Sequence, residues 1–176
     1  MEQRPENGDT KKDLPKEASF DISKYRLLQG EVRGTGIVLP IEHLITGMND
    51  WWDDLCKERG IDPDANEEFS EIGYQLLELV KNAFEYGTGG GDIKVTFDKD
   101  AVIATIENSG EAFDPLEAIH ISAGGGHGFY RAIEWADDIE IETGGKRYIK
   151  DAEETLRESG TSPITDGAKI TLKKKV

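Results

Sequence analysis

The sequence predicts an α/β protein, and three observations lead to that class. Two long segments, at about residues 40–60 and 66–86, carry apolar residues at the spacing of amphipathic helices. Four shorter segments have the alternation or the β-branched content of strands: Ile93–Phe97, Ala101–Glu107, Ile139–Thr143 and Ala168–Lys173. The length of 176 residues suits a single domain with tails.

The charge of the chain narrows the function classes. It has 36 acidic and 21 basic side chains, so its net charge is −15 at pH 7. That sign repels phosphate backbones and anionic lipid, which argues against nucleic acid or a membrane as the main partner. The single cysteine, Cys56, excludes an internal disulfide and a cysteine-based zinc site. Because the chain shows neither a secretory signal nor an apolar run of roughly 20 residues, we expect a soluble, cytoplasmic protein.

The N-terminal residues are predicted from their composition. Residues 1–19 are polar, charged and contain two prolines, so we expect a disordered tail. Tyr25–Val38 has strand-forming residues interrupted by glycines, which predicts an edge strand or a hairpin. The folded domain is therefore expected to span residues 20–176.

The first long helix is predicted to begin at Pro40, because proline suits the first helical turn. Gly60 is expected to end it. Its apolar stripe consists of Ile41, Leu44, Ile45, Met48, Trp52 and Leu55. Such a stripe packs into a core, and it could also support a homodimer.

The second long helix is predicted from about Asn66 to Tyr86, with Asp64 or Asn66 as its N-cap and Gly87 as its end. Apolar residues at helical spacing form its core face. A second stripe is polar and aligns because its positions step by three or four: Glu71, Gln75, Glu78, Asn82 and Glu85.

Three less regular segments complete the prediction. Gly87–Gly91 is expected to be a flexible turn, and Phe129–Ala136 a short helix. Residues 144–166 are longer than a hairpin needs, so we expect an extended hairpin insertion that includes a charged helical piece, DAEETLRES. This insertion is either a docking element for a partner or a solvated extension.

The first segment with possible chemistry is ELVKNAFEYG, Glu78–Gly87. Glu78 and Asn82 lie one turn apart and project together. An amide oxygen such as that of Asn82 can ligate Mg²⁺, which prefers oxygen ligands and retains several waters. The Glu78 carboxylate can orient or deprotonate a nucleophile. The pair is not specific alone, since Glu/Asn pairs are common on helix surfaces.

The second segment is ENSGEAFDP, Glu107–Pro115, directly after a strand. A polar residue followed by glycine can present one hydrogen-bonding group to a flat base, because glycine has no side chain to block it. Phe113 could pack beneath such a base. A simple turn is the alternative interpretation.

The third segment is GGGHGF, Gly124–Phe129, at the start of a predicted helix. Backbone N–H groups of a glycine-rich turn at a helix N-terminus can bind an anion. The pattern fits neither a P-loop nor a Rossmann fingerprint. His127 could touch a phosphate or simply point to solvent.

Together and in order, the three segments resemble the N, G1 and G2 boxes of the GHKL ATPase superfamily. The similarity is greatest to its small stand-alone members, the anti-sigma factor serine/threonine kinases. It covers about residues 26–172, and Gly167–Leu172 (GAKITL) resembles the closing GTxxxL strand of the family. The resemblance implies the Bergerat fold, a two-layer α/β sandwich. In that fold a mixed, largely antiparallel sheet is covered on one face by helices, with ATP and Mg²⁺ between the layers.

The resemblance also implies a role for each motif residue. Glu78 corresponds to the general base or water-polarising residue, and Asn82 to the magnesium ligand. Asn108 stands where the family reads adenine, and Gly110 is the glycine of that box. The hinge of the ATP lid and the phosphate cradle correspond to Gly124, Gly126 and Gly128.

Two positions depart from the family pattern. Asn108 replaces the usual aspartate, so a neutral group would accept the adenine amino group at a loss of about 1 kcal/mol. The amide could also donate, which leaves selectivity between adenine and guanine open. Ala168 replaces the usual threonine and removes a hydroxyl that would hold a bridging water. The metal and phosphate positions are intact.

These implications predict a Mg-ATP-binding regulatory domain. The first hypothesis is an anti-sigma-type kinase that transfers the γ-phosphoryl group to serine or threonine of a partner, such as a sigma factor or an anti-anti-sigma-like protein. The second is a non-catalytic or degenerate ATP-binding adaptor that regulates a partner by binding. A third is the detached ATPase domain of a histidine-kinase-like signalling system.

Overall fold

The computed structural model describes residues 17–26, 31–33, 36–38, 40–98, 100–122 and 127–176. Its helices are α1 (Ser23–Arg26), α2 (Pro40–Glu58), α3 (Glu67–Tyr86), α4 (Pro115–Ser122) and α5 (His127–Trp135). The strands in the N-terminal half are β1 (Glu17–Asp21), β2 (Glu31–Arg33), β3 (Gly36–Val38), β4 (Gly87–Asp98) and β5 (Ala101–Gly110). Those in the C-terminal half are β6 (Asp138–Thr143), β7 (Lys146–Lys150), β8 (Leu156–Thr161) and β9 (Ala168–Lys175).

Seven strands form one open sheet in the order β1-β4-β5-β9-β6-β7-β8. Each neighbouring pair in this sheet is antiparallel. A separate antiparallel pair joins β2 to β3. The predicted α/β class is confirmed, but the expected mixture of parallel and antiparallel pairings is not found among the described strands. Among the described residues, no helix combines the length and the apolar character that crossing a membrane requires.

Side chains alternate between two unlike faces of the sheet. On the buried face, isoleucines from four adjacent strands lie in register: Ile93, Ile106, Ile170 and Ile141. On the opposite face, Thr105 and Thr171 share a hydrogen bond of 3.3 Å between their hydroxyls. Because apolar residues concentrate on one face, α3 packs there against β4 and β5, and α5 packs against α3.

The long helix α2 follows the predicted stripe. It begins at Pro40 as predicted. Its buried residues are Leu44, Met48, Trp52, Leu55 and Cys56. Gly60 has a φ of +73°, which suits the residue after a helix C-terminus. The Trp52 indole N–H donates to the carbonyl of Phe69 at 3.1 Å and so fastens α2 to α3.

The helix α3 has a defined cap at each end. The Asn66 side chain accepts from the backbone N–H groups of Glu68 and Phe69 at 3.1 and 3.3 Å, as an N-cap does. At the other end, Gly87 donates its N–H to the Ala83 carbonyl and directly begins β4. No loop therefore separates α3 from the sheet.

The helix α5 has no basic residue in its own last turn, and the sheet supplies cations instead. Lys150 of β7 donates to the carbonyls of Glu134 and Ala136 at 3.3 and 2.7 Å. Lys174 of β9 donates to the Trp135 carbonyl at 3.1 Å. Cations at a helix C-terminus satisfy free carbonyls and complement the helix dipole, so these lysines anchor α5.

Four sequence predictions need correction. Residues 17–19 are not disordered but begin β1, which pairs with β4; residues 1–16 lie outside the described part of the chain. The segment DAEETLRES is not helical: it contains a turn and most of β8, which pairs with β7. The short helix α4 was not predicted, because its apolar residues show little helical segregation. In the Tyr25–Val38 region, the β2–β3 hairpin agrees with the prediction, while Tyr25 lies in α1.

The fourth correction concerns Gly87–Gly91, which was predicted to be a flexible turn and instead lies in β4. Gly91 pairs with Asn108, and its N–H donates a hydrogen bond of 2.9 Å to the Ser23 hydroxyl oxygen. A Cβ at Gly91 would lie only 2.8 Å from the Glu107 carbonyl oxygen. The glycine therefore permits close strand approach and not flexibility.

The C-terminus of α3 depends on Arg26. Its guanidinium donates to the Ala83 carbonyl at 3.0 Å and to the Phe84 carbonyl, and lies 4.9 Å from the centre of the Phe84 ring. We expect Arg26→Met to lower the free energy of unfolding by about 1–2 kcal/mol, because both carbonyls lose a charged donor. Chemical denaturation measures this, with exposed Arg131→Met as the control expected within about 0.5 kcal/mol of the parent. Equal stabilities for the two variants would contradict the assignment.

Candidate functional site

The polar stripe of α3 brings Glu78 and Asn82 to half-buried positions on the same side of the helix. Glu78 Oε1 accepts a hydrogen bond of 2.8 Å from Lys81 Nζ, and the two side chains are 21% and 29% exposed. This hydrogen bond raises the pKa of Lys81 above its usual range, so the ammonium form persists at neutral pH. One oxygen of the predicted catalytic carboxylate is thus engaged by a cation.

The other carboxylate oxygen faces the glycine motif. A Cβ placed on Gly128 would lie 2.9 Å from Glu78 Oε2 and 3.3 Å from Glu78 Cβ. The structure therefore brings together two predicted site residues that are 50 positions apart, with Gly128 close against the Glu78 side chain. His127 is the first residue of α5, while Gly124 and Gly126 lie outside the described residues.

The second group of predicted residues meets at the end of the sheet. Asn108 pairs with Gly91 on one side and with Ala168 on the other, and Ala168 pairs with Thr143. We call these four residues, Gly91, Asn108, Ala168 and Thr143, the terminal row. By strand alternation the row belongs to the buried face, next to the C-terminus of α3, where a Cβ on Gly87 would lie 3.2 Å from Asn108 Nδ2.

Two predicted residues flank the terminal row. Gly110 accepts a hydrogen bond of 2.8 Å at its carbonyl from the N–H of Gly167. Phe113 is 36% exposed, and its ring meets the ring of Phe129 edge to face at 5.7 Å between centroids. Because Phe129 lies on α5, this contact links the segment after β5 to the helix that carries Gly128.

A cavity of about 500 Å³ lies beside the terminal row. Its described lining consists of Gly90, Gly91, Asp92, Glu107, Asn108, Ser109, Pro163, Ile164, Thr165, Asp166 and Ala168. Asn108 and Ala168 both line this cavity. Glu78, Asn82 and Gly128 are not part of this lining, so the two groups of predicted residues do not share it.

Sequence reasoning missed Thr143 and Lys81. Thr143 is 1% exposed, accepts from the Phe113 N–H at 3.2 Å and donates to the Gly167 carbonyl at 2.8 Å. A signal was present: in IEIET the alternation places this threonine in the buried phase after Ile139 and Ile141. A buried hydroxyl in an apolar phase needs hydrogen-bond partners, and this marks the position.

The remaining candidate groups are less suited to chemistry. Burial raises the pKa of the Cys56 thiol to about 12, with a contribution from nearby Asp53, so the thiol stays protonated and unreactive. Within the described ranges, no group of three or more His, Cys, Asp or Glu side chains is arranged to hold a metal ion. Asn82 would have to share a metal with a bound ligand and water.

No protein-family model matches the chain, and no curated protein matches it.

Gly167 controls the position of the Asn108 backbone. Its φ is +70°, and an added Cβ would overlap the Asn108 carbonyl oxygen. Gly60 has nearly the same φ, +73°, but nothing within 4 Å of its added Cβ. We expect Gly60→Ala to cost about 1 kcal/mol from backbone strain alone, and Gly167→Ala about 3 kcal/mol because the clash adds to the strain.

Equilibrium denaturation of both variants separates the two contributions. Equal losses of stability would show that the close approach of Gly167 to Asn108 is absent in solution.

Proposed function

We propose that the chain is a Mg-ATP-binding regulatory domain with the Bergerat fold, acting as an anti-sigma-type protein serine/threonine kinase in the cytoplasm. The observation that carries the proposal is that α3, together with the residue that directly follows it, touches both other motif segments. Gly128 lies against Glu78, and Asn108 lies against Gly87. At 1.5 Å per residue these two contacts are about 13 Å apart along the helix, which separates a phosphate end from a base end.

The proposed phosphate end consists of Glu78, Asn82 and the N-terminus of α5. The Asn82 amide oxygen supplies one magnesium ligand, and phosphate oxygens and water complete the shell, since Mg²⁺ keeps several waters in such sites. Bound magnesium would neutralise charge on the phosphates. Backbone N–H groups at the start of α5 favour an anion there.

Glu78 is the proposed general base. It takes the proton from the hydroxyl of a partner serine or threonine, and that oxygen forms a bond to the γ-phosphorus. The bond between the γ-phosphorus and the bridging oxygen breaks, and ADP leaves. Lys81 orients the carboxylate through Oε1 and leaves Oε2 on the side of Gly128.

The proposed base end is the terminal row with Gly110 and Phe113. Asn108 accepts the adenine amino group through its amide oxygen, and Phe113 supplies an aromatic surface beside it. With asparagine and not aspartate as acceptor, affinity falls by about 1 kcal/mol, several-fold. Ala168 leaves room for water next to the amide.

The second candidate is an ATP-binding adaptor without catalysis, and one observation favours it. Lys81 holds Oε1 of Glu78 in a 2.8 Å ion pair, so one of the two carboxylate oxygens is already engaged by a cation. In this function nucleotide would set the position of α5, and the domain would regulate a sigma factor or an anti-anti-sigma-like protein by binding. The detached ATPase domain of a histidine-kinase-like system is a third candidate, supported by the same motif residues.

Calorimetric titration tests nucleotide binding. We expect ATP and ADP to bind in the presence of magnesium, with GTP weaker, and Asn82→Ala to weaken Mg·ATP by roughly tenfold, or 1.4 kcal/mol. Ser70→Ala, an exposed change about three turns earlier on α3, is the control expected to bind as the parent does. Absence of heat with every nucleotide, in folded protein, would contradict the proposal.

Transfer of labelled γ-phosphate to a candidate partner separates kinase from adaptor. Glu78→Gln should lower the transfer rate by about 100-fold or more while ATP still binds, because the proton acceptor is lost. Exposed Glu85→Gln, two turns further along α3, is the matched control and should transfer normally. ATP binding without transfer by the parent chain would favour the adaptor, and equal rates for both variants would remove Glu78 from catalysis.

A further inference from the structure

We infer that Thr143 is a positioning residue for the base end of the site, and that its buried hydroxyl sets the placement of Asn108. This inference rests on the proposed function. Thr143 does not touch the proposed base position itself. It acts through two neighbouring segments to which its hydroxyl is bonded.

The hydroxyl of Thr143 both donates and accepts a hydrogen bond. It donates to the Gly167 carbonyl at 2.8 Å and accepts from the Phe113 N–H at 3.2 Å. The side chain is 1% exposed, so water cannot readily replace either bond. One hydroxyl therefore ties the start of β9 to the segment that follows β5.

The first bond leads to Asn108. Gly167 adopts a φ of +70° and approaches the Asn108 carbonyl so closely that a Cβ would not fit. The Gly167 N–H also donates to the Gly110 carbonyl at 2.8 Å. The bond to its carbonyl and the bond from its N–H thus hold Gly167 on both sides while it packs on Asn108.

The second bond leads to Phe113. Its N–H would otherwise have to find another acceptor, because Phe113 lies in a segment outside regular secondary structure. The bond from Phe113 to Thr143 sets where the Phe113 ring stands beside the terminal row. The placements of Asn108 and of the Phe113 ring consequently both depend on the Oγ1 atom of Thr143.

The register explains why the hydroxyl lies at position 143. Thr143 is opposite Ala168, and Ala168 is opposite Asn108, so the three side chains share one row on three strands. Ala168 has no hydroxyl, and the hydroxyl in the terminal row is instead that of Thr143 on the adjacent strand β6. In the described part of the chain, Thr143 makes no hydrogen bond to Glu78, Asn82 or Gly128. Its link to the phosphate end is indirect, through the contact between the Phe113 and Phe129 rings, so we expect it to act mainly on the base end.

The test compares two ligands on three variants by calorimetry. Mg·ATP carries a base, whereas Mg·tripolyphosphate carries only the phosphate chain. Thr143→Val keeps the shape and removes both hydrogen bonds, and Thr143→Ser keeps both bonds. Thr171→Val is the matched control, because it removes a hydroxyl from the opposite face of the adjacent strand.

We expect Thr143→Val to weaken Mg·ATP about tenfold and to leave Mg·tripolyphosphate within about twofold. Thr143→Ser should restore Mg·ATP binding to within about threefold, and Thr171→Val should change neither ligand. A purely structural role would weaken both ligands together and would overturn the inference, as would unchanged Mg·ATP binding by a folded Thr143→Val protein.

Amide hydrogen exchange on the unmodified chain covers the case in which Thr143→Val does not fold. Exchange at the Phe113 amide should slow several-fold with Mg·ATP and not with Mg·tripolyphosphate, and an unchanged rate with Mg·ATP would overturn the inference. If the parent binds neither ligand, the proposed function falls together with the inference. If the parent binds Mg·ATP while the Thr143 results are negative, only the inference falls.

Discussion

The direct passage of α3 into β4 is the constraint on which the site depends. Gly87 ends the helix and at the same time begins the strand, so no loop can absorb a shift between the two layers. Arg26 closes the same junction by binding two carbonyls of the last helical turn. The stripe that carries Glu78 and Asn82 is consequently held at a fixed height above the sheet.

Two further contacts act on this junction from opposite directions. Gly128 brings α5 against the middle of α3, and Asn108 brings the end of β5 against Gly87, the residue that follows α3. The second contact is close because Gly87 has no side chain: an added Cβ would lie 2.5 Å from the Ala83 carbonyl oxygen and 3.2 Å from Asn108 Nδ2. Close packing of helix on helix and of helix on sheet end therefore defines the space between the two groups of motif residues.

Much of the fold could be predicted wherever periodicity was unbroken, as in α2, α3 and the β4–β5 hairpin. The errors arose where tertiary contacts override local preference. Gly87–Gly91 looks like a turn in isolation, yet it pairs as a strand because its bare backbone fits against β5. DAEETLRES has helix-forming residues, but its C-terminal part forms most of β8, because pairing with β7 overrides the local preference for a helix. Of the proposed site, Glu78 and Asn108 were predicted from motif order, whereas the hydrogen-bond partners of Thr143 became evident only in the folded chain.

The lysine hydrogen bonds to the C-terminus of α5 couple the position of this helix to the sheet. Lys174 and Lys150 come from β9 and β7, and these strands lie on either side of β6. The C-terminus of α5 is therefore held by two lysines from the strands on either side of β6, while Gly128 near its N-terminus lies against Glu78. Because the sheet holds the C-terminus of α5, a change in the twist of the sheet would tilt this helix and displace Gly128 relative to Glu78.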